Sequence, residues 1–476
     1  MDNMKKRYKK LGENTLWMLV GNFATRLLSF FMVPLYTAYL STADYGTADL
    51  MTTTVSLLSP ILTVAASEGV LRFTLEKKYD DRQVLSLSLT IEIVGFIVLI
   101  CISPILRKYV AFGNYYYLFL IYYFFYNFLW IIQQYSKGKN HVRYYAISGF
   151  LSTVGSVIAN ICFLTVFKIG IRGYLYAQIL ACVVPVIYLV FQEGLYKKII
   201  HPCKISIELI HRYLIYCLPL IPNQLSWWIN NSSDKYILNF YWGLSFTGIY
   251  SVAYKIPTIL NAIGGIFASS WQISSVENFG SDESRIFYAS VYKKYFSLFA
   301  CISAGIILFI KVLARLLFAK DFFNAWPYAT ILVLAALVQA MGQFYETIYI
   351  CAMKPTPLLC TTFLAAAVNT GLNFILIPHY GAYGASLATF MGYVAMYTVR
   401  VIDSQKIFKF DVNHKKNIFT MLLLIIEAGA VCLNVQGWLF IDVLCTTGVV
   451  WTNREIFGDI YIIFKKTLKN LRDIKK

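Results

Sequence analysis

Charged side chains inside long apolar runs are the feature of this sequence that most directly points to chemistry. Arg26 stands well inside the run from Leu16 to Leu40. A guanidinium at membrane depth costs about 2.5–3.5 kcal/mol on insertion scales, so it normally faces a watery cavity and marks what passes through, here an anion. Lys255 lies deep in another run, directly before Pro257, where a kink or a freed carbonyl accommodates an ammonium; the alternative is a lysine snorkelling to the interface. Arg72 follows Glu68 by four residues, so it is either an anion contact or half of an ion pair on one helix face. Lys235 follows Asp234 at a helix end and serves either an anion or simple anchoring. Among the embedded acids Glu92, Asp234, Glu346 and Glu427, an isolated carboxyl can bind and release a proton, or hold Na⁺. Glu92 in the N-terminal half and Glu346, one turn from Gln343, in the C-terminal half are the choices for ion coupling; the alternative is that each acid pairs a cation such as Arg26 or Lys255.

The elements that must position these groups are membrane helices. Of 476 residues, 58% are hydrophobic, 17% aromatic and 14% charged, with a mean hydropathy of +0.60; soluble domains carry about 25% charge. Low-charge runs fall near 14–38, 45–67, 84–106, 114–135, 145–167, 171–191, 213–234, 241–269, 292–314, 326–350, 357–378, 382–402, 417–435 and 437–453. Runs of about 20 residues suit helices and exclude barrel strands of about ten. The expectation is an all-α polytopic membrane protein of about 14 transmembrane helices, with no room for a large soluble domain. The first run is too long for a removed signal peptide and is expected to stay as the first span.

Lysine and arginine set the orientation. With a cytoplasmic N-terminus, inside connections carry 32 and outside connections 7, which predicts an even number of spans and two cytoplasmic termini. The net charge of +18 is then topological, and no nucleic acid is called for. The ten cysteines are scattered, with no C-x-x-C pair, which argues against a metal or a redox centre. The aromatic block Tyr115–Tyr117 and Tyr122–Tyr126 reads as interface belt and packing.

Two internal matches suggest duplication. A shift of 202 places Tyr45-Gly46 over Thr247-Gly248, and a shift of 211 places Ile169-Gly170-Ile171-Arg172-Gly173 over Tyr380-Gly381-Ala382-Tyr383-Gly384. Two six-helix copies related by an axis along the membrane normal follow, with substrate bound in a central cavity between lobes that rock. The lobes are expected at 1–195 and 196–412, two extra helices at 413–454, and an amphipathic basic tail at 455–476 lying on the cytoplasmic leaflet. In the G-x-x-G connections glycine supplies the positive φ of a tight helix-to-helix turn. Pro219 and Pro222 predict a kink at the start of the seventh span. Asn369 and Asn373, four apart, read as hydrogen-bonding glue between helices.

The segment Ala367–Thr389 (AVNTGLNFILIPHYGAYGASLAT) resembles the N-x-x-x-N-x-x-x-I-P-x-Y-G-x-x-G-A-x-x-A-T signature of polysaccharide flippases. These form the Wzx-like branch of the multidrug/oligosaccharidyl-lipid/polysaccharide exporter superfamily. Pro34-Leu-Tyr36 through Asp44-Tyr45-Gly46 to Arg72-Phe73, and Pro219 through Asp234-Lys235 to Gly248 and Lys255, agree in order and spacing, so the resemblance spans roughly 10–400. It implies a fold like that of the lipid II flippase and the multidrug exporters. It also implies a carrier, not an enzyme, that moves an undecaprenyl-pyrophosphate-linked oligosaccharide to the outer leaflet of the bacterial cytoplasmic membrane. The implied partners are that glycolipid, the bilayer and polysaccharide polymerase machinery; no cofactor is implied beyond coupling to H⁺ or Na⁺. A pyrophosphate cannot cross hydrocarbon unaided, and Arg26, Lys255, Arg72 and Lys235 become its candidate contacts. The alternatives are a multidrug or cation antiporter, which would favour an acidic cavity, and a glycan polymerase or ligase, which would show a large outer loop or a D-x-D motif.

Overall fold

The computed structural model describes residues 28, 30–196, 205–277, 279 and 282–458. Arg26, most of the first apolar run and the tail beyond residue 458 lie outside them. The described residues form helices and no strand. In chain order these are α1 (Val33–Tyr39), α2 (Thr42–Leu62), α3 (Ala66–Glu76), α4 (Asp81–Tyr109), α5 (Tyr116–Gly138), α6 (Val142–Asn160), α7 (Gly170–Gln192), α8 (Ile207–Cys217) and α9 (Leu220–Ala253). Then come α10 (Thr258–Glu277), α11 (Asp282–Leu308), α12 (Ile310–Leu317), α13 (Trp326–Cys351), α14 (Pro355–Ile407), α15 (His414–Cys432) and α16 (Trp438–Thr452). Every expected apolar run after the first coincides with one or two of these helices. Among the described residues seven helical segments are long and apolar enough to cross a membrane, or nine if each bent pair is one span. One of the seven, Thr356–Ile407, at about 1.5 Å per residue is long enough for two crossings.

The breaks have local causes. In α2 the Ser41 hydroxyl accepts from Asp44 N and the Asp44 carboxylate bonds back, a reciprocal cap that starts the helix. The run expected to continue to residue 67 instead ends at Leu62, because Val64 and Ala65 take left-handed φ of 52° and 50°. The chain turns by 53° into α3, so Glu68 and Arg72 sit on a separate short helix. Gly381, at φ 54°, splits α14, and its repeat counterpart Gly170 opens α7 at φ 57°. Both turns carry the glycine conformation that the matched motifs demanded. Three residues on in the motif, a side chain on Gly384 would meet Leu376 O at 2.5 Å and one on Gly173 would meet Phe163 Cβ at 2.8 Å.

The chain forms two compact units, one of Met1–Ser251 with Leu317–Phe322, the other of Val252–Leu316 with Phe323–Lys476. In the first, Thr37 Oγ1 donates to Leu317 O at 3.1 Å and accepts from Ala319 N, which ties the returning segment to α1. Tyr213 of α8 donates to Ala66 O at 2.7 Å, with its ring where only Gly69 leaves room. In the second unit, Trp271, Tyr288, Tyr292 and Phe344 form an aromatic core, and Trp271 Nε1 donates to Thr347 Oγ1 at 2.9 Å. Lys311 lies over the rings of Trp438 and Trp326, 3.7 and 4.6 Å from their centroids. Apolar side chains such as Ile93, Val94 and Ile97 on α4 and Leu439, Phe440 and Val443 on α16 are exposed, as lipid-facing residues must be. The described cysteines are all free.

Candidate functional site

The crossing of α2 and α9, inside the first unit, brings together the largest group of sequence-derived candidates. Its geometry starts from two glycines. A Cβ on Gly46 would lie 2.2 Å from Leu244 O and 2.9 Å from Gly248 N, and one on Gly248 would lie 1.9 Å from Thr42 O and 3.0 Å from Gly46 N. Each glycine thus meets the other's amide and the carbonyl four residues before it. Such reciprocity is the mark of a two-fold contact, and the partners are the pair that the 202-residue shift superposes. Gly243, at φ 82°, resets α9 just before this crossing.

The close approach lets short polar side chains reach across. Ser251 Oγ donates to Asp49 Oδ2 at 2.7 Å, and these residues are also related by the 202-residue shift. Lys235 Nζ stands 2.8 Å from the same Asp49 Oδ2, with both side chains largely buried. Tyr250 OH donates to Asp234 Oδ2 at 2.5 Å, and Asp234 Oδ1 accepts from Lys235 N at 2.9 Å. Thr54 and Tyr236 hydroxyls bond one another, and Trp228 Nε1 donates to Thr53 O at 3.0 Å. Chemically this is a buried ion pair set in a hydrogen-bonded net. A small break in it leaves a charge without compensation. Lys235→Met is therefore expected to lower stability by about 3 kcal/mol, with Asp49→Asn added in the same chain restoring most of the loss; thermal melts of the purified variants check both.

The other candidates are dispersed. Lys255 lies in the turn between α9 and α10, half-buried, beside the Lys255 carbonyl that accepts from Thr258 Oγ1 at 2.5 Å; its ammonium has no hydrogen-bond or ion partner among the described residues. The break before Pro257 expected from the sequence is present. Arg72 is exposed and forms no ion pair with Glu68 among the described residues. Glu92 is fully buried on α4, and neither carboxyl oxygen has a partner among the described residues. Glu346 on α13 pairs with Arg400 at 3.2 Å. Arg400 is wholly buried in α14; it also donates to Gly342 O, Thr361 Oγ1 and Thr362 Oγ1 at 3.0–3.1 Å. Arg26 is outside the described residues.

Sequence reasoning missed Asp49 and Arg400. Asp49 had one available signal, since it and Ser251 occupy equivalent positions of the repeat. Arg400 had none, because its run ends beside other basic residues. Asn369 and Asn373 form a short relay, Asn373 Nδ2 to Asn369 Oδ1 at 3.0 Å and Asn369 Nδ2 to Thr389 Oγ1 at 3.2 Å, bridging the two halves of α14.

Residues 11–272 match the model of a family described as polysaccharide biosynthesis protein. Among solved structures the chain is similar to the lipid II flippase MurJ in its inward closed conformation, with a TM-score of 0.69 at 15% identity, covering 94% of this chain and 99% of that one. It is also similar to an inward-facing multidrug resistance MATE transporter of the MOP superfamily, with a TM-score of 0.65 at 15% identity over 83% and 94% of the two chains. An outward-facing MATE transporter gives 0.60 at 16% identity over 84% and 95%. No curated protein matches in sequence. The fold is therefore that shared by MurJ and the MATE transporters.

Proposed function

Since the chain belongs to the polysaccharide biosynthesis protein family, we propose that it is a flippase for a lipid-linked glycan, carrying an undecaprenyl-pyrophosphate-linked oligosaccharide from the cytoplasmic to the outer leaflet by alternating access. The family match over residues 11–272 carries this reading, and the MurJ-like fold supports it. The expected setting is the bacterial cytoplasmic membrane with both termini inside, in contact with polysaccharide polymerase machinery. The lobes at 1–195 and 196–412 enclose the path in this reading, with 413–454 as an added helix pair.

The physical task is to move a diphosphate whose hydration is worth far more than any apolar contact. Cations at depth replace the lost water while the polyprenyl tail stays in lipid. Arg26 and Lys255 are the first pair for that role, and the half-buried Lys255 ammonium suits it because no carboxylate among the described residues neutralises it. Arg72, exposed on α3, suits a first encounter with the headgroup. Lys235 serves only if the substrate displaces Asp49. Coupling to H⁺ or Na⁺ falls to Glu92, Glu346 or Asp234; of these Glu92 has the environment of an exchangeable proton site, buried with no donor among the described residues.

The test is scrambling of a labelled polyprenyl-diphosphate glycan in proteoliposomes. Arg26→Ala and Lys255→Ala are each expected to slow it by tenfold or more, which corresponds to about 1.4 kcal/mol. Rates unchanged in both would remove the cation assignment. Imposed Na⁺ and pH gradients, compared in Glu92→Gln, decide the coupling; indifference to both gradients ends that part. The MATE-like fold admits a cation antiporter as the second reading, distinguished by export of an organic cation with no effect on the glycolipid.

A further inference from the structure

The α15–α16 hairpin, which lies beyond the residues matched by the family model, buries two carboxylic acids against one another. Glu427 and Asp442 are both wholly inaccessible, while the neighbours Ile425, Ile426, Val443 and Leu444 are exposed as a lipid-facing surface would be. Glu427 Oε1 accepts from Thr446 Oγ1 at 2.9 Å. Glu427 Oε2 and both oxygens of Asp442 are buried and have no donor among the described residues. Thr446 follows Asp442 by four residues on α16, so its bond brings Glu427 to the helix face that carries Asp442.

Two carboxylates are acceptors only, so they repel when both are charged and bond when one carries a hydrogen. We infer that Glu427 and Asp442 form a proton-binding site in which one hydrogen is held between the two carboxyl groups. The remaining negative charge has a counterpart in Lys311 of α12, whose charge acts on Asp442 and whose Nζ donates to Asn434 Oδ1 at 3.0 Å. The other titratable groups facing this region are the thiols of Cys445, beside both acids, and Cys432, beside Lys311, with Arg315 acting on Lys311. A hard metal cation is a poor occupant. Such ions take about six oxygens, whereas the pair offers two carboxyls and one hydroxyl, and no metal-holding group of three acids, histidines or cysteines occurs among the described residues. Because both acids are sealed from solvent, the hydrogen leaves only when α15 and α16 part far enough to admit water. The site involves none of Glu92, Glu346 or Asp234.

Infrared spectroscopy of the full-length protein in lipid nanodiscs tests this at neutral pH without added Na⁺. Subtracting the spectrum of the double variant Glu427→Gln with Asp442→Asn is expected to leave one band of a protonated carboxyl, sensitive to deuterium exchange. Thr446→Val, which keeps both acids, is expected to shift that band, since the lost donor touches Glu427 directly. A difference spectrum holding only carboxylate stretches would overturn the proposal. So would a protonated band that vanishes when Na⁺ is added, which would make this a cation site. If the double variant does not fold, Thr446→Val alone decides: an unshifted spectrum overturns the assignment.

Discussion

Replacing Gly248 with leucine is expected to leave little folded protein, the largest effect of any single substitution considered for this chain. A Cβ there would sit 1.9 Å from Thr42 O, and the obstacle is backbone, which cannot rotate away. Overpacking of a well-packed core costs about 1–3 kcal/mol when side chains can yield and more when they cannot. Here α2 and α9 would have to separate, and the Asp49–Lys235 and Asp49–Ser251 contacts would be stretched with them. Gly46→Leu is expected to match it, because the contact is reciprocal. Gly149 is the control, since a Cβ on it meets nothing within 4 Å, and Gly149→Ala should be neutral or stabilise slightly through helix propensity. Detergent-solubilised yield and thermal melts of the three variants check this; a Gly248→Leu protein melting like the parent would refute the reciprocal crossing.

Arg400 is the second site of large effect. Its guanidinium is spent on Glu346, Gly342 O, Thr361 and Thr362, and its side chain has no solvent exposure. Arg400→Met is expected to cost about 3–5 kcal/mol, since the Glu346 charge and the hydroxyls lose their donors together. Arg400→Lys should recover little, because a single ammonium cannot reproduce a planar fork. Glu346→Gln combined with Arg400→Met should recover more than Arg400→Lys does, as removing both charges avoids the uncompensated one. If Glu346 serves ion coupling, its carboxylate must trade Arg400 for the ion, and transport in Arg400→Lys should then lose its response to the gradient. Melting curves and gradient-driven rates on the same preparations separate the structural effect from the functional one.

How far the sequence was legible depended on the range of the interaction. Spans are written in local hydropathy, so the apolar runs after the first reappear as helices, with errors only at internal breaks. The break after Leu62 escaped because left-handed φ falls on Val64 and Ala65, residues that give no turn signal. The break at Gly381 was legible because glycine marks it. Repeat positions carried tertiary information, since Gly46 with Gly248 and Asp49 with Ser251 are partners in space as well as in alignment. Pairings between non-equivalent residues were illegible. Nothing local to Glu346 announces an arginine 54 positions later, and nothing local to Glu427 announces Asp442 on the next helix. Glu92, the choice for ion coupling in the N-terminal half, is buried with no donor among the described residues.

The proposed function is the transfer of a lipid diphosphate headgroup across the bilayer. The direct measurement places a fluorescent polyprenyl-diphosphate glycan in the inner leaflet of proteoliposomes and follows its arrival outside, beside a matched lipid whose headgroup lacks the diphosphate. The account predicts protein-dependent transfer of the diphosphate lipid only, and transfer no faster than in protein-free vesicles, or equally fast for both lipids, would contradict it.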